Sequence, residues 1–166
     1  MSPTQVNALI PTNLLPGPVT LQVVLSGRAG PPVTLRLEES APALFEAAGR
    51  TVIATHGNGP PITPDSTAAP GETVVLYATG LGPTAPQTLP NRIPTAAARL
   101  TNTAFQVWLN GVPVPRERIL YAGVTPGFAG LFQVNLQLPP DAPKDPEIPV
   151  GTPDRMSPPG PVLPVQ

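Results

Sequence analysis

Cysteine is absent from the chain, which excludes disulfides, thiolate zinc sites and cysteine nucleophiles. Charge is scarce: 11% of the 166 residues are acidic or basic, and the formal net charge is −1. No basic surface is available for a phosphate backbone or an anionic bilayer, so neither nucleic acid nor membrane insertion is expected. Histidine occurs once and aromatics make up 4%, which leaves little material for acid–base chemistry or a broad sugar-stacking platform. No apolar run approaches the length of a bilayer span. Met1-Ser2-Pro3-Thr4-Gln5 has neither a charged n-region nor an apolar h-region. The low charge suits an exported β protein, so we expect an extracellular or cell-surface location and a signal carried elsewhere in a longer precursor. No cofactor or metal motif is present, and no enzymatic activity is expected.

Proline and glycine are abundant instead, at 28 and 15 residues. Apolar residues make up 40% of the chain, and their period-two order points to strands punctuated by turns rather than to disorder. Alternation is clearest at Leu131–Leu138, where Phe132, Val134, Leu136 and Leu138 share one side and Gln133, Asn135 and Gln137 the other. Thr73–Thr79 alternates as well. Phe105–Asn110 turns Phe105, Val107 and Leu109 inward and Trp108 outward, and Asn110-Gly111 after it is a strong hairpin signal. Further strands are expected at Thr4–Ile10, Val19–Leu25, Val33–Glu38, Thr51–Thr55 and Arg118–Ala122. Only Pro42–Gly49 and Thr95–Leu100 offer a helical turn, both too short to stand alone. Many short strands between Gly/Pro turns predict an all-β sandwich.

The chain also matches itself. Gln5-Val6-Asn7-Ala8-Leu9-Ile10-Pro11 recurs as Gln133-Val134-Asn135-Leu136-Gln137-Leu138-Pro139, a shift of 128 (5 to 133). One residue of slip later, Gly30-Pro31-Pro32-Val33 aligns with Pro159-Gly160-Pro161-Val162. Self-similarity at long period means tandem modules. We therefore read residues 1–38 as the closing strands of an incomplete first module. Residues 39–166 are read as a complete one, with a proline-rich and partly irregular tail from about 139.

Four ordered motifs then become recognisable: Ser2-Pro3-Thr4-Gln5-Val6-Asn7, Ala41-Pro42-Ala43-Leu44-Phe45, Pro70-Gly71-Glu72 through Gly82-Pro83, and Tyr121-Ala122-Gly123 through Val134-Asn135. Over residues 2–138 the chain resembles the Solibacter-type C-terminal domain of large secreted Acidobacteria proteins, whose modules look like the immunoglobulin-like IPT/TIG sandwich. The resemblance implies an immunoglobulin-like fold and an extracellular setting, and supplies no catalytic residues.

Among candidate site residues, outward Trp108, beside Tyr77 or Tyr121, would stack on a sugar ring or anchor a protein partner. The outward amides Gln133 and Asn135, with Gln5 and Asn7 in the copy, are candidates for self-association. His56 reads as a polar strand end before the Gly57-Asn58-Gly59 turn. Asp141, Asp145, Glu147 and Asp154 read as solvated loop charges, with a calcium site as the sharper alternative. Gly80-Leu81-Gly82 lacks the Lys-Ser/Thr of a phosphate loop and reads as a positive-φ turn. The favoured expectation is a non-catalytic structural or interaction module, with strand exchange or filament formation through residues 1–38. The alternative is a carbohydrate-binding module built on Trp108.

Overall fold

The computed structural model describes residue 6, residues 8–90 and residues 92–166. The chain divides into two compact units, Met1–Glu39 and Ser40–Gln166.

The first unit is a small antiparallel arm. Strands β1 (Gly17–Leu21) and β4 (Val33–Leu37) pair along their length, from Gly17 opposite Leu37 to Leu21 opposite Val33. Between them β2 (Val24–Leu25) and β3 (Arg28–Ala29) close a tip hairpin. Ser26 and Gly27 take φ values of 49° and 76°, the paired left-handed residues of a type I′ turn. The strand expected at 19–25 is broken at Gln22-Val23, across from Gly30-Pro31-Pro32, where the prolines have no N–H to give to a ladder. Of the strand expected at 4–10, residues 1–5 and 7 lie outside the described residues, and 8–10 are not in a strand. A strand needs a partner edge, and among the described residues of the first unit the pairings are β1 with β4 and β2 with β3, none of them with residues 8–10.

The second unit is an all-β sandwich. Its elements are β5 (Ala43–Leu44), β6 (Ala54–His56), β7 (Thr73–Thr79), β8 (Thr84–Ala85), β9 (Arg99–Leu100), β10 (Gln106–Leu109), β11 (Val112–Pro113), β12 (Ile119–Val124), β13 (Phe132–Gln137), β14 (Val150–Thr152) and β15 (Arg155–Met156). One sheet runs β5-β7-β13-β12-β9-β8, with β6 also paired to β7; the other runs β11-β10-β14-β15. Alternation decides which side chains meet between the sheets. Val74, Leu76, Val134 and Leu136 enter the core from the larger sheet, and Val107, Leu109 and Val150 from the smaller. At about 25 cal/mol per Å² of apolar surface, burial of a side chain of this size stabilises by roughly 1.5–3 kcal/mol.

Local signals translate directly at several places. The Asn110-Gly111 turn has φ values of 48° and 80°, the type I′ conformation, and sets Leu109 opposite Val112. Gly80 and Gly82 have φ values of 68° and 109°, and a Cβ at Gly80 would collide with the Ala41 carbonyl. Two helical expectations fail. The Pro42–Gly49 turn shrinks to a 3-10 turn at Ala48–Arg50, while Ala43–Leu44 joins β7 as a strand. At Thr95–Leu100, Arg99–Leu100 pairs with β12 and β8, so long-range pairing overrides weak local propensity. The tail after 139 is also more ordered than its prolines suggest: Ile148, Val150, Leu163 and Val165 are fully buried.

Candidate interaction surfaces

The outer face of the larger sheet gathers four of the candidate residues. Register sets Tyr77 opposite Gln133, and Asn135 between Val75 and Tyr121. Side chains at these positions share one face because Val74, Leu76, Val134 and Leu136 occupy the other. Gln133 donates from Nε2 to Asn135 Oδ1 at 2.9 Å, so the two amides form one polar strip. The Tyr121 hydroxyl donates toward the carbonyls of Val124 (2.8 Å) and Ala98 (3.2 Å). The Arg99 guanidinium lies 5.0 Å from the centre of the Tyr121 ring, within cation–π range. Gly123 leaves room for this phenol: a Cβ there would collide with the Ala98 carbonyl and crowd the Tyr121 hydroxyl. Burial pushes the Tyr121 phenol above its ordinary value of 10.0, against smaller opposing effects from the Ala98 hydrogen bond and Arg99.

Trp108 does not join this group. It belongs to β10 of the smaller sheet, where Val107 and Leu109 face the core. Outward positions on the two sheets of a sandwich point away from each other, so the expected pairing of Trp108 with Tyr77 or Tyr121 is corrected. Trp108 is half-buried, and its backbone N–H donates to the Pro149 carbonyl at 3.0 Å.

Tyr77 instead borders an open cleft of about 320 Å³, lined by Phe45, Ile53, Thr125, Phe128 and Leu131 as well. Phe128 is 57% exposed, and the buried Thr125 hydroxyl has no partner. Sequence reasoning passed over the five residues beside Tyr77 because they come from three separate segments; Phe128 in a Gly-bounded turn was the one available clue.

His56 ends β6 and has partners distant in sequence. Nδ1 lies 2.6 Å from Glu72 Oε1, and Nε2 lies 3.2 Å from Ser66 Oγ. Glu72 Oε2 accepts from the Ala69 N–H at 2.9 Å. The order Ser–His–Glu meets the distance requirement of a nucleophile–base–acid array. The Ser66 N–H, however, is bound to the Thr63 carbonyl and hydroxyl, so it does not serve as an oxyanion donor. What the network does is tie the 63–72 segment to the end of β6.

The acidic residues of the tail disperse. Asp145 Oδ1 accepts from the Val165 N–H at 3.1 Å, and Glu147 Oε1 from the Gly160 N–H at 2.6 Å. Among the described residues no three acidic or histidine side chains gather for a metal. Gln5 and Asn7 lie outside the described residues. No helix among the described residues is long and apolar enough to cross a membrane.

Residues 139–166 repeat the hairpin of the first unit. The tip pairs Val24–Ala29 and Leu25–Arg28 correspond to Gly151–Met156 and Thr152–Arg155, a uniform shift of 127 (24 to 151, 29 to 156). The Gly30 N–H donates to Val23, and the Ser157 N–H to Val150, both at 2.8 Å. Below the tip, the pair Thr20–Thr34 corresponds to Glu147–Val162, with the returning strand shifted by 128 (34 to 162). The turn in which Leu14 donates to Pro11 has its counterpart where Ala142 donates to Pro139. Gly30 thus stands against Ser157, two residues from the register read in the sequence. Equivalent side chains differ in burial: Leu21 and Val23 are 40% and 49% exposed, whereas Ile148 and Val150 are 0% exposed. The seated arm is held along both edges. Val107 lies opposite Val150, while Val52 donates to Val162 and Ala68 to Pro164, each at 2.9 Å. Compared with known proteins, the chain matches no family model, no curated protein and no solved structure.

Proposed function

We propose that the chain is a non-catalytic structural module that links β-sandwich units, with its N-terminal arm as the joining element. One observation carries the reading: the same arm occurs twice, with its apolar face buried at residues 148–165 and exposed at 21–33. An exposed strand edge beside exposed valines and leucines is a standing invitation to association. Low charge, the turn-rich sandwich and the resemblance to immunoglobulin-like IPT/TIG modules support a place in a secreted or cell-surface protein. Light scattering over a concentration series tests the reading. The native chain is expected to gain mass with concentration, and a chain lacking residues 1–39 to remain a folded monomer. Association that survives the deletion, or none in either chain, contradicts it.

A second reading, carbohydrate binding, is supported by the shared face of Tyr77, Gln133, Asn135 and Tyr121 rather than by Trp108. Aromatic faces beside an amide strip suit a sugar ring. Retention on a glycan panel that falls for Tyr77→Ala and Tyr121→Ala but not for Trp108→Ala is the expected pattern; no retention by the native chain removes the reading.

A further inference from the structure

The arm's partner can be specified further, resting on the linking role above. In the second unit the arm is not a surface decoration. Its outgoing strand extends the smaller sheet beside β10, with Gln106 opposite Gly151 and Val107 opposite Val150. Its returning strand lies parallel to the chain at Thr51 and Ala68. Residues 40–138 therefore form a body with a slot, filled by residues 139–166. The N-terminal arm has the same entry turn, the same tip pairing and an equivalent pairing of its two stem strands. By the register above, Leu21, Val23, Leu35 and Leu37 take the places of Ile148, Val150, Leu163 and Val165. Such swaps nearly conserve volume, the kind of change that cores tolerate best.

The position that pairs with Gln106 differs in kind. Val24 stands where the slot holds Gly151, whose φ is 143° and whose Cβ would collide with the Arg155 carbonyl. The tip turns explain it. Pro153 holds φ near −65° and cannot enter a type I′ turn, so the glycine absorbs the mismatch. Ser26-Gly27 makes that turn directly, which frees position 24 to carry a side chain.

We propose that the N-terminal arm seats in the slot of a second β-sandwich body of the 40–138 type, one that has no arm of its own in place. Val24 then lies opposite the residue equivalent to Gln106, and Val23 opposite the equivalent of Val107. The returning strand runs beside the equivalent of Arg50–Val52. The slot of a native copy of this chain is not the seat, because it is filled and exchanging one arm for another buries no additional apolar surface; native copies associate instead through the exposed edges of their N-terminal arms.

The test grafts the arm into the slot this chain supplies. In the full chain, residues 139–166 are replaced by a second copy of residues 11–38, and unfolding is followed by the emission of Trp108, which sits on the slot strand. The grafted chain is expected to unfold cooperatively, with a midpoint within roughly 10 °C of the native chain. A chain ending at Leu138 is expected to lose the transition, and so is a graft carrying Val23→Asp and Leu35→Asp in its second copy. Register is read separately in a chain that has no cysteine of its own. Gln106→Cys with Val24→Cys in the grafted copy should oxidise to a disulfide, and Gln106→Cys with Leu25→Cys should not. A graft no better folded than the truncated chain overturns the proposal. So does a truncated chain as stable as the native one, or a graft indifferent to the aspartates. Head-to-tail oligomers of the native chain in which residues 139–166 become protease-sensitive would make a second copy the occupant and overturn it as well. If the graft fails while association still depends on residues 1–39, the linking role stands and only this partner falls.

Discussion

Residues 17–37 and 143–166 build the same hairpin and meet opposite fates. Both narrow from a paired stem to a two-residue tip turn, and both close the tip with an equivalent backbone hydrogen bond. In one, the stem residues Ile148 and Val150 are sealed in a core; in the other, Leu21 and Val23 face solvent. The backbone pattern therefore belongs to the arm itself, while burial belongs to what the arm is set against. An arm this short has too little surface of its own to form a core.

The widest gap between the two arms should appear on deletion. Removing residues 139–166 takes four fully buried side chains from the sandwich, each stabilising by roughly 1.5–3 kcal/mol. That sum rivals the whole stability of a typical domain, so thermal unfolding should lose its cooperative transition. Removing residues 1–39 should leave the transition of the second unit within a few degrees. A second unit that melts without its N-terminal neighbour would break the comparison.

Point substitutions give the next largest contrast. Val150→Asp buries an unpaired carboxylate beside β10 and should cost about 4 kcal/mol by chemical denaturation. The equivalent Val23→Asp sits on an exposed edge and should stay within about 0.5 kcal/mol, while weakening association. Equal costs would mean that the first arm is already seated.

The smallest effect isolates the sandwich from the arm. Tyr121 lies in the second unit, and burial raises its phenol above 10.0. The folded state therefore holds this proton more tightly than the unfolded chain. That contribution to stability is complete below about pH 10 and is lost as pH climbs past it. Tyr121→Phe should flatten this alkaline decline, and deletion of residues 1–39 should leave it unchanged, in denaturation series between pH 9 and 11.

The sandwich was legible in the sequence because its central strands write their burial in period two. Thr73–Thr79 matches β7 residue for residue, and Leu131–Leu138 brackets β13. Asn110-Gly111 encoded its own turn. Elements without such a local signature went unread. β9 has two residues and exists only through its partners. The tail looked irregular because its prolines mask strands only two or three residues long. Trp108 was correctly turned outward, but alternation within a strand does not say which sheet the strand joins. His56 meets a partner 16 residues away and Tyr77 a cleft drawn from four segments, neither of which spacing reveals. The repeat was visible, yet its register was settled only by paired backbones.

Amide hydrogen exchange on the native chain tests the central contrast most directly, at one bond present in both arms. The N–H of Ser157 donates to Val150 and that of Gly30 to Val23, with the same length and the same place in the hairpin. If one arm is seated and the other open, Ser157 should exchange only through global unfolding and Gly30 at least about a thousandfold faster, through local opening. Equal protection at the two amides would mean that both arms are held alike, and the account would be wrong.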